Sequence, residues 1–267
     1  MNDRALTLEL ASTLGVAVTD DALAPLFALA PELVEWSINA GPDPRGTLRV
    51  AAWTRDRARV ARVIPPEHAA MRDHLLCGDD FEGLGLALHP DQPPAARWWL
   101  LASEGAELAA RARAAWPHHA AELAALLAAA GGDHALTAVG AELPGRETAY
   151  VRLADAAAAV RVLELAQVPV SRQANLFWKG ICGLEPGGRA WPQVWAGHSI
   201  GRAGGWKFYY FARGDELRRT DAVLLDAVGA APELRAACAL VGGNAAIQLI
   251  GLTVRDRPSF TVYLGRL

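Results

Sequence analysis

The sequence predicts an α+β fold, a ten-stranded antiparallel β-barrel built from repeated αββα units with the helices outside. Two observations predict it. Over 267 residues, five pairs of short period-2 segments alternate with Ala- and Leu-rich helical stretches. The second strands also carry recurring marker residues at Arg49, Arg97, Arg152, Lys207 and Tyr263. Their spacing of roughly 50–55 residues signals a repeated supersecondary unit. Short turns join the paired segments, so neighbouring strands must be antiparallel and a parallel (β/α) barrel is disfavoured. Closure removes exposed edges most simply and leaves room for a chamber. A twisted open sheet with helices on one face is the alternative, and in either case one domain spans residues 1–267.

The elements follow in order. Residues 4–30 read as one or two helices, with Asp20 or Asp21 as N-cap. LVEWSINA (33–40) and TLRVAAWT (47–54) flank a GPDPRG turn and form the first hairpin. A helix over 55–76 breaks at Pro65-Pro66. FEGLGLAL (81–88) and ARWWLLA (96–102) form the second hairpin, and 103–130 reads as one long helix. HALTAVGAEL (134–143) and ETAYVRLA (147–154) turn at Pro144-Gly145, followed by a helix over 155–168. The fourth hairpin pairs ANLFWKGICGL (174–184) with WKFYYFAR (206–213) across the long loop 185–203. A helix over 215–240 precedes the last hairpin, AAIQLIGLTV (245–254) with SFTVYLGR (259–266).

Composition narrows the function. A net charge of −3 gives no global electrostatic reason to bind nucleic acid. Three cysteines make neither a disulfide framework nor a CxxC pair, which fits a reducing cytoplasm. MNDRALTLEL has early acids and no apolar h-region, so no signal peptide is expected, and no apolar run reaches membrane-spanning length. Gly78-Asp79-Asp80 lacks the further acids of a Mg-diphosphate motif and reads as a turn, and adjacent His118 and His119 diverge on a helix. No GxxxxGK[ST], GxSxG or strand-linked GxGxxG is present.

Strand parity groups the chemistry-bearing residues. Arg49 shares a strand face with Trp53, Arg97 with Trp99, Tyr150 with Arg152, and Lys207 with Tyr209 and Phe211; Tyr263 follows Thr261 on the last strand. The chain has only two lysines and four tyrosines, and nearly all of them fall on these strands. Cations and phenols converging inside a sheet suggest a pocket for a polyanion such as a diphosphate. The aromatic faces beside them would stabilise a developing carbocation. For any one arginine alone, a place on an outer face paired with an acid is the competing reading. Glu35 on the first strand is either a base with a raised pKa or a solvent-facing residue. Lys179 and Phe177 share one face of the segment 174–184 and Trp178 the other; one of the two aromatics is expected to be plain core. Tyr210 reads as core, and His198 is a minor acid/base candidate.

VEWS…LRV with its Glu then Arg, LFWKGIC, KFYYFAR and the terminal FTVYLGR, together with the strand order, resemble the ABBA (PT-barrel) prenyltransferases. Among these the chain most resembles the cyanobactin-type peptide prenyltransferases. The likeness covers nearly the whole chain but contains no diagnostic motif. It implies that Arg49, Arg97, Arg152, Lys207, Tyr209 and Tyr263 hold or shield a prenyl diphosphate. It also implies that Trp53, Trp99, Tyr150, Phe177, Trp178 and Lys179 line the prenyl and acceptor pocket, that Glu35 positions the acceptor, and that Mg²⁺ assists at the diphosphate. The expected activity is transfer of a dimethylallyl or geranyl group to a ribosomal peptide. The alternatives are transfer to a small aromatic molecule and a non-catalytic barrel that binds an anionic amphiphile.

Overall fold

The computed structural model describes residues 2–40, 48–56, 58–59, 82–89, 92–100, 106–142, 146–168, 171–183, 191–201, 205–212, 220–242, 246–254 and 258–265. For 82–89, 92–100, 106, 141–142 and 146 the backbone alone is described. Helices α1 (Asp3–Thr13) and α2 (Asp20–Phe27) lead into strands β1 (Leu33–Ala40) and β2 (Arg49–Thr54). Strands β3 (Glu82–His89) and β4 (Gln92–Leu100) precede α3 (Ala106–Ala115) and α4 (Ala120–Ala130). Then come β5 (Leu136–Glu142), β6 (Arg146–Leu153) and α5 (Ala156–Leu165). Helix α6 (Arg172–Asn175) runs into a π-helical turn, Leu176–Ile181. Strands β7 (Val194–Ile200) and β8 (Trp206–Phe211), α7 (Asp221–Ala227), α8 (Pro232–Val241), β9 (Ile247–Val254) and β10 (Ser259–Gly265) complete the order.

The strands form one antiparallel sheet in the order β4-β3-β2-β1-β10-β9-β8-β7-β6-β5. The sheet curls so that its end strands β4 and β5 come alongside each other. Side chains are described for the eight strands β1, β2 and β5–β10. Each hairpin contributes two neighbouring strands, and among the described residues helices α3–α4, α5–α6 and α7–α8 lie between the second and third, third and fourth, and fourth and fifth hairpins, as the αββα reading expects. Among the described residues no helix is long and apolar enough to cross a membrane.

Five expectations are corrected. Residues 174–181, within the strand expected over 174–184, are helical: Ser171 Oγ accepts from Ala174 N at 3.1 Å and caps the turn. The first strand of the fourth hairpin is VWAGHSI, inside the segment expected as a loop. Its alternation of Val194, Ala196, His198 and Ile200 with smaller or aromatic residues is the period-2 pattern of a half-covered strand. The helix over 103–130 is two helices, broken where Pro117 starts a 3₁₀ turn. The helix over 215–240 is also two, separated by Gly229 at φ +66° and restarted by Pro232. Finally, Thr19 caps α2, and Asp20 and Asp21 occupy its first turn. The helix expected over 55–76 and the turn at 78–80 lie almost wholly outside the described residues.

The core lies between the outer face of the sheet and the helices. Trp36, Ile38, Val50, Phe208, Tyr210 and Ile250 are fully buried there with Leu6, Leu10 and Leu126. Trp36 Nε1 donates to Thr7 Oγ1 on α1 at 2.8 Å, so the one polar atom of that ring keeps a partner in the core. The buried Asp221 carboxylate at the start of α7 accepts from the backbone N–H of Ala246 at 2.9 Å, fixing the entry to β9. Replacing Phe208 by Ala would cost about 3–5 kcal/mol through lost burial and the resulting cavity.

Candidate active site

Strand β8 separates the two faces. Trp206, Phe208 and Tyr210 are buried, and they alternate with half-buried Lys207, Tyr209 and Phe211. The buried face is the one the helices cover, since Trp178 packs edge-on against Phe208 with ring centroids 5.5 Å apart. Lys207 and Tyr209 therefore lie on the concave face.

Antiparallel partners share a face, so the ladder carries that face around the sheet. On β7 it holds Trp195 and Gly197, paired with Tyr209 and Lys207. On β6 it holds Tyr150 and Arg152, paired with Gly197 and Trp195. On β9 it holds Gly251 and Thr253, and on β10 Thr261 and Tyr263. Tyr263 pairs with Ser37 on β1, and Ser37 with Arg49 on β2. Glu35 pairs with Gly265 and Ala51, and Leu33 with Trp53. Beyond β2 the register runs Ala51↔Gly85↔Arg97 and Gly83↔Trp99. Arg97 and Trp99 thus occupy concave-face register positions, while their side chains lie outside the described residues.

A regular alternation results. Tyr150, Tyr209 and Tyr263 sit on β6, β8 and β10, with Gly197 and Gly251 on the strands between. The rings fan across those glycines, with centroids 5.9 Å apart for Tyr150 and Tyr209 and 6.0 Å for Tyr209 and Tyr263. A Cβ on Gly197 would lie 3.1 Å from both Tyr150 and Tyr209. The Tyr209 phenol hydrogen-bonds to those of Tyr150 and Tyr263. Lys207 crosses diagonally over Gly251 and donates from Nζ to Thr261 Oγ1 at 3.0 Å. Thr261 in turn donates to Asn39 Oδ1 at 3.3 Å. The ammonium lies 4.9 Å from the Tyr263 ring centroid and 5.6 Å from that of Tyr209.

The electrostatics follow from this packing. Burial pushes the Glu35 carboxyl up to about 7, and the Lys207 charge pulls it part of the way back. Burial also holds the Tyr209 phenol well above its ordinary value, and the neighbouring phenols of Tyr263 and Tyr150 add to this. Tyr263 is raised in the same way by burial and then by the Glu35 charge, with Arg49 acting against them. The Tyr209 and Tyr263 phenols therefore stay neutral, and the Glu35 carboxyl beside them titrates near neutrality.

The structure thus brings Glu35, Arg49, Tyr150, Lys207, Tyr209 and Tyr263 to one region. Trp53 lies half-buried on the same face, at its Leu33 end. Arg152 is on the face but exposed. Phe177 and Trp178 are not at the chamber, because the helical segment that carries them packs on the outside of β8. Lys179 on the same segment is exposed. His198 is also outside: it stacks on Trp206 with centroids 4.0 Å apart and bonds Glu122 Oε1 on α4 at 2.6 Å. Tyr210 is core, as expected. The sequence reading missed Trp195, Gly197 and Gly251, and it placed no role on Thr261. Glycine at alternating strand centres was the available signal. Among the described residues no group of three or more His, Cys, Asp or Glu side chains is placed to hold a metal ion. The cations and phenols of the chamber suit an anion, and they do not form a metal ligand set.

No protein family model and no curated protein sequence matches the chain. Among solved structures it is similar to the prenyltransferase PriB in a ternary complex with L-tryptophan and dimethylallyl thiolodiphosphate. The TM-score is 0.76 at 18% identity, covering 98% of this chain and 94% of that one. It is also similar to 6-dimethylallyltryptophan synthase from Micromonospora olivasterospora in complex with DMASPP and Trp, at TM-score 0.73 and 18% identity, covering 98% and 95%. NotF in complex with brevianamide F and DMSPP gives TM-score 0.59 at 11% identity, covering 87% and 79%. The chain has the fold of these ABBA-type prenyltransferases. None of the three is named for a ribosomal peptide, so the peptide-modifying subtype gains no support.

Proposed function

We propose that the protein is a prenyltransferase that moves a dimethylallyl group from its diphosphate to a small aromatic acceptor, such as a free aromatic amino acid, in the cytoplasm. The carrying observation is Glu35: a carboxylate titrating near 7 beside the Lys207 charge and the neutral Tyr263 phenol. The reading includes closure of the sheet between β4 and β5 into a ten-stranded barrel, which would isolate that chamber from water.

In this reading the allylic C–O bond breaks and its electron pair leaves with the diphosphate. Arg49 and Lys207 hold the departing oxygens by charge-assisted hydrogen bonds, with Arg97 at the next concave-face cation position. The allylic cation rests against the faces of Tyr150, Tyr209 and Tyr263, which exclude water. An electron-rich ring of the acceptor attacks the terminal carbon, and the Glu35 carboxylate takes the proton that the acceptor loses. Mg²⁺, when present, would screen charge on the diphosphate and be held by the donor's own oxygens; no step here depends on it. The names of the structural neighbours support tryptophan-like acceptors over peptides. Phe177 and Trp178, packed outside, give no support for a pocket-capping role.

The test is incubation with dimethylallyl diphosphate and, separately, L-tryptophan, L-tyrosine and a mixed peptide pool, read by mass spectrometry. A gain of one dimethylallyl unit on a free amino acid supports the reading. Modification of peptides alone would move the acceptor class. Donor binding without any adduct or diphosphate release would favour a non-catalytic barrel.

A further inference from the structure

We propose that Gly251 is a positioning residue for the donor site: its missing side chain is the space through which Lys207 crosses strand β9 to reach Thr261 and Tyr263. This rests on the diphosphate-binding role given to Lys207 above. Lys207 pairs in register with Thr253, yet its ammonium bonds Thr261, the register partner of Gly251. The lysine stem therefore runs diagonally across the strand between them. A Cβ at position 251 would overlap Lys207 Cε and would lie 3.3 Å from both Lys207 Nζ and Tyr263 Cε2. The lysine makes by far the closest approach, so the space at position 251 is filled chiefly by this side chain.

Gly251 is not among the described glycines with positive φ, and it sits in the middle of an antiparallel ladder. Backbone conformation therefore does not demand glycine there, and in a strand interior glycine weakens the fold relative to alanine. What an added methyl would meet is the flexible end of a lysine, which can swing away without disturbing the sheet. The expected signature of Gly251→Ala is a protein at least as stable as the wild type but with Lys207 driven off Thr261. A residue kept for packing would give the opposite result.

The experiment compares wild type, Gly251→Ala, Lys207→Ala and the double variant, with Gly242→Ala as a control at a position where a Cβ meets nothing within 4 Å. Inorganic pyrophosphate affinity is read by calorimetry and folding by thermal melting. Gly251→Ala should weaken pyrophosphate binding by about 10-fold, the loss of one charge-assisted contact. The double variant should bind no worse than Lys207→Ala. In turnover, KM for dimethylallyl diphosphate should rise while KM for the acceptor stays put. Wild-type affinity in Gly251→Ala, or additive losses in the double variant, overturns the proposal. If Gly251→Ala melts low, the same change is made in the Lys207→Ala background: restored stability upholds the clash with the lysine, and a persisting deficit overturns the proposal. A wild type that binds neither pyrophosphate nor the prenyl diphosphate would defeat the proposed function and this inference together. A wild type that binds both, beside an unaffected Gly251→Ala, defeats the inference alone.

Discussion

The two faces of the β7–β8 hairpin solve the same problem in opposite ways. On the outer face the polar group His198 meets a carboxylate from a helix, Glu122, whose second oxygen also accepts from Gly201 N at 2.8 Å. That pairing lies over an aromatic ring and among core side chains, and it suits a permanent structural contact. On the concave face Lys207 is held by a hydroxyl, Thr261, and lies over the faces of two phenol rings, within the field of Glu35. A hydroxyl fixes an ammonium without neutralising it. The difference separates an imidazole paired with a carboxylate from an ammonium seated on a hydroxyl and two ring faces.

Five substitutions would break or sharpen that contrast, in decreasing order of effect. Glu35→Gln should lower kcat by about 10²–10⁴-fold, the usual contribution of a positioned base. Wild-type kcat/KM should rise through pH about 7 as Glu35 ionises, and the variant's profile should be flat there. Stability should move the other way. Glu35 is held above its ordinary value of 4.5 in the fold, so the folded state binds its proton more tightly than the unfolded chain. Wild-type stability should therefore fall as pH climbs from about 4.5 to about 7 and then level off. At pH 8 the glutamine variant should be more stable by up to about 3 kcal/mol in urea denaturation.

Lys207→Ala and Arg49→Ala should each raise KM for the prenyl diphosphate by about 10–100-fold with unchanged melting; unaltered donor KM in both would remove these cations from the site. On the outer face, His198→Ala should cost about 2 kcal/mol of stability by leaving Glu122 without its partner, while pyrophosphate affinity stays at the wild-type level. A loss of affinity there would mean that the two faces are coupled. Gly197→Ala brings a methyl within 3.1 Å of two tyrosine rings and shifts them by a few tenths of an ångström. The expected effect is a rise of about two- to five-fold in donor hydrolysis relative to transfer, from a looser shield against water. The ratio of dimethylallyl alcohol to prenylated product measures it.

The sequence made the even-numbered strands legible, because β2, β4, β6, β8 and β10 carry a recurring cation or phenol whose spacing is visible without any structure. Parity then placed Arg49, Lys207, Tyr209 and Tyr263 correctly. Strand β7 was not legible, because LFWKGI offers a stronger apolar run than VWAGHSI and the serine that caps its helix is a local signal easily outweighed. That error carried Phe177, Trp178 and Lys179 to the expected pocket, although their segment is helical and packs outside β8, and it hid Trp195. The glycines were unread for a different reason. Gly197 and Gly251 matter through the space they leave, and that space has meaning only once the neighbouring strands are in register.

The ladder between β1 and β10 also bears on how the site comes into being. Thr261 and Asn39 are 222 residues apart in the chain, and Glu35 and Tyr263 sit on the same seam. Contacts of such separation are slow to close, and during synthesis β10 leaves the ribosome only after the other nine strands. Under the proposed function, Glu35 as base and Tyr263 as the last ring of the shield therefore meet at the end of assembly, and a chain stalled before β10 would lack Thr261 and Tyr263 from the proposed donor site.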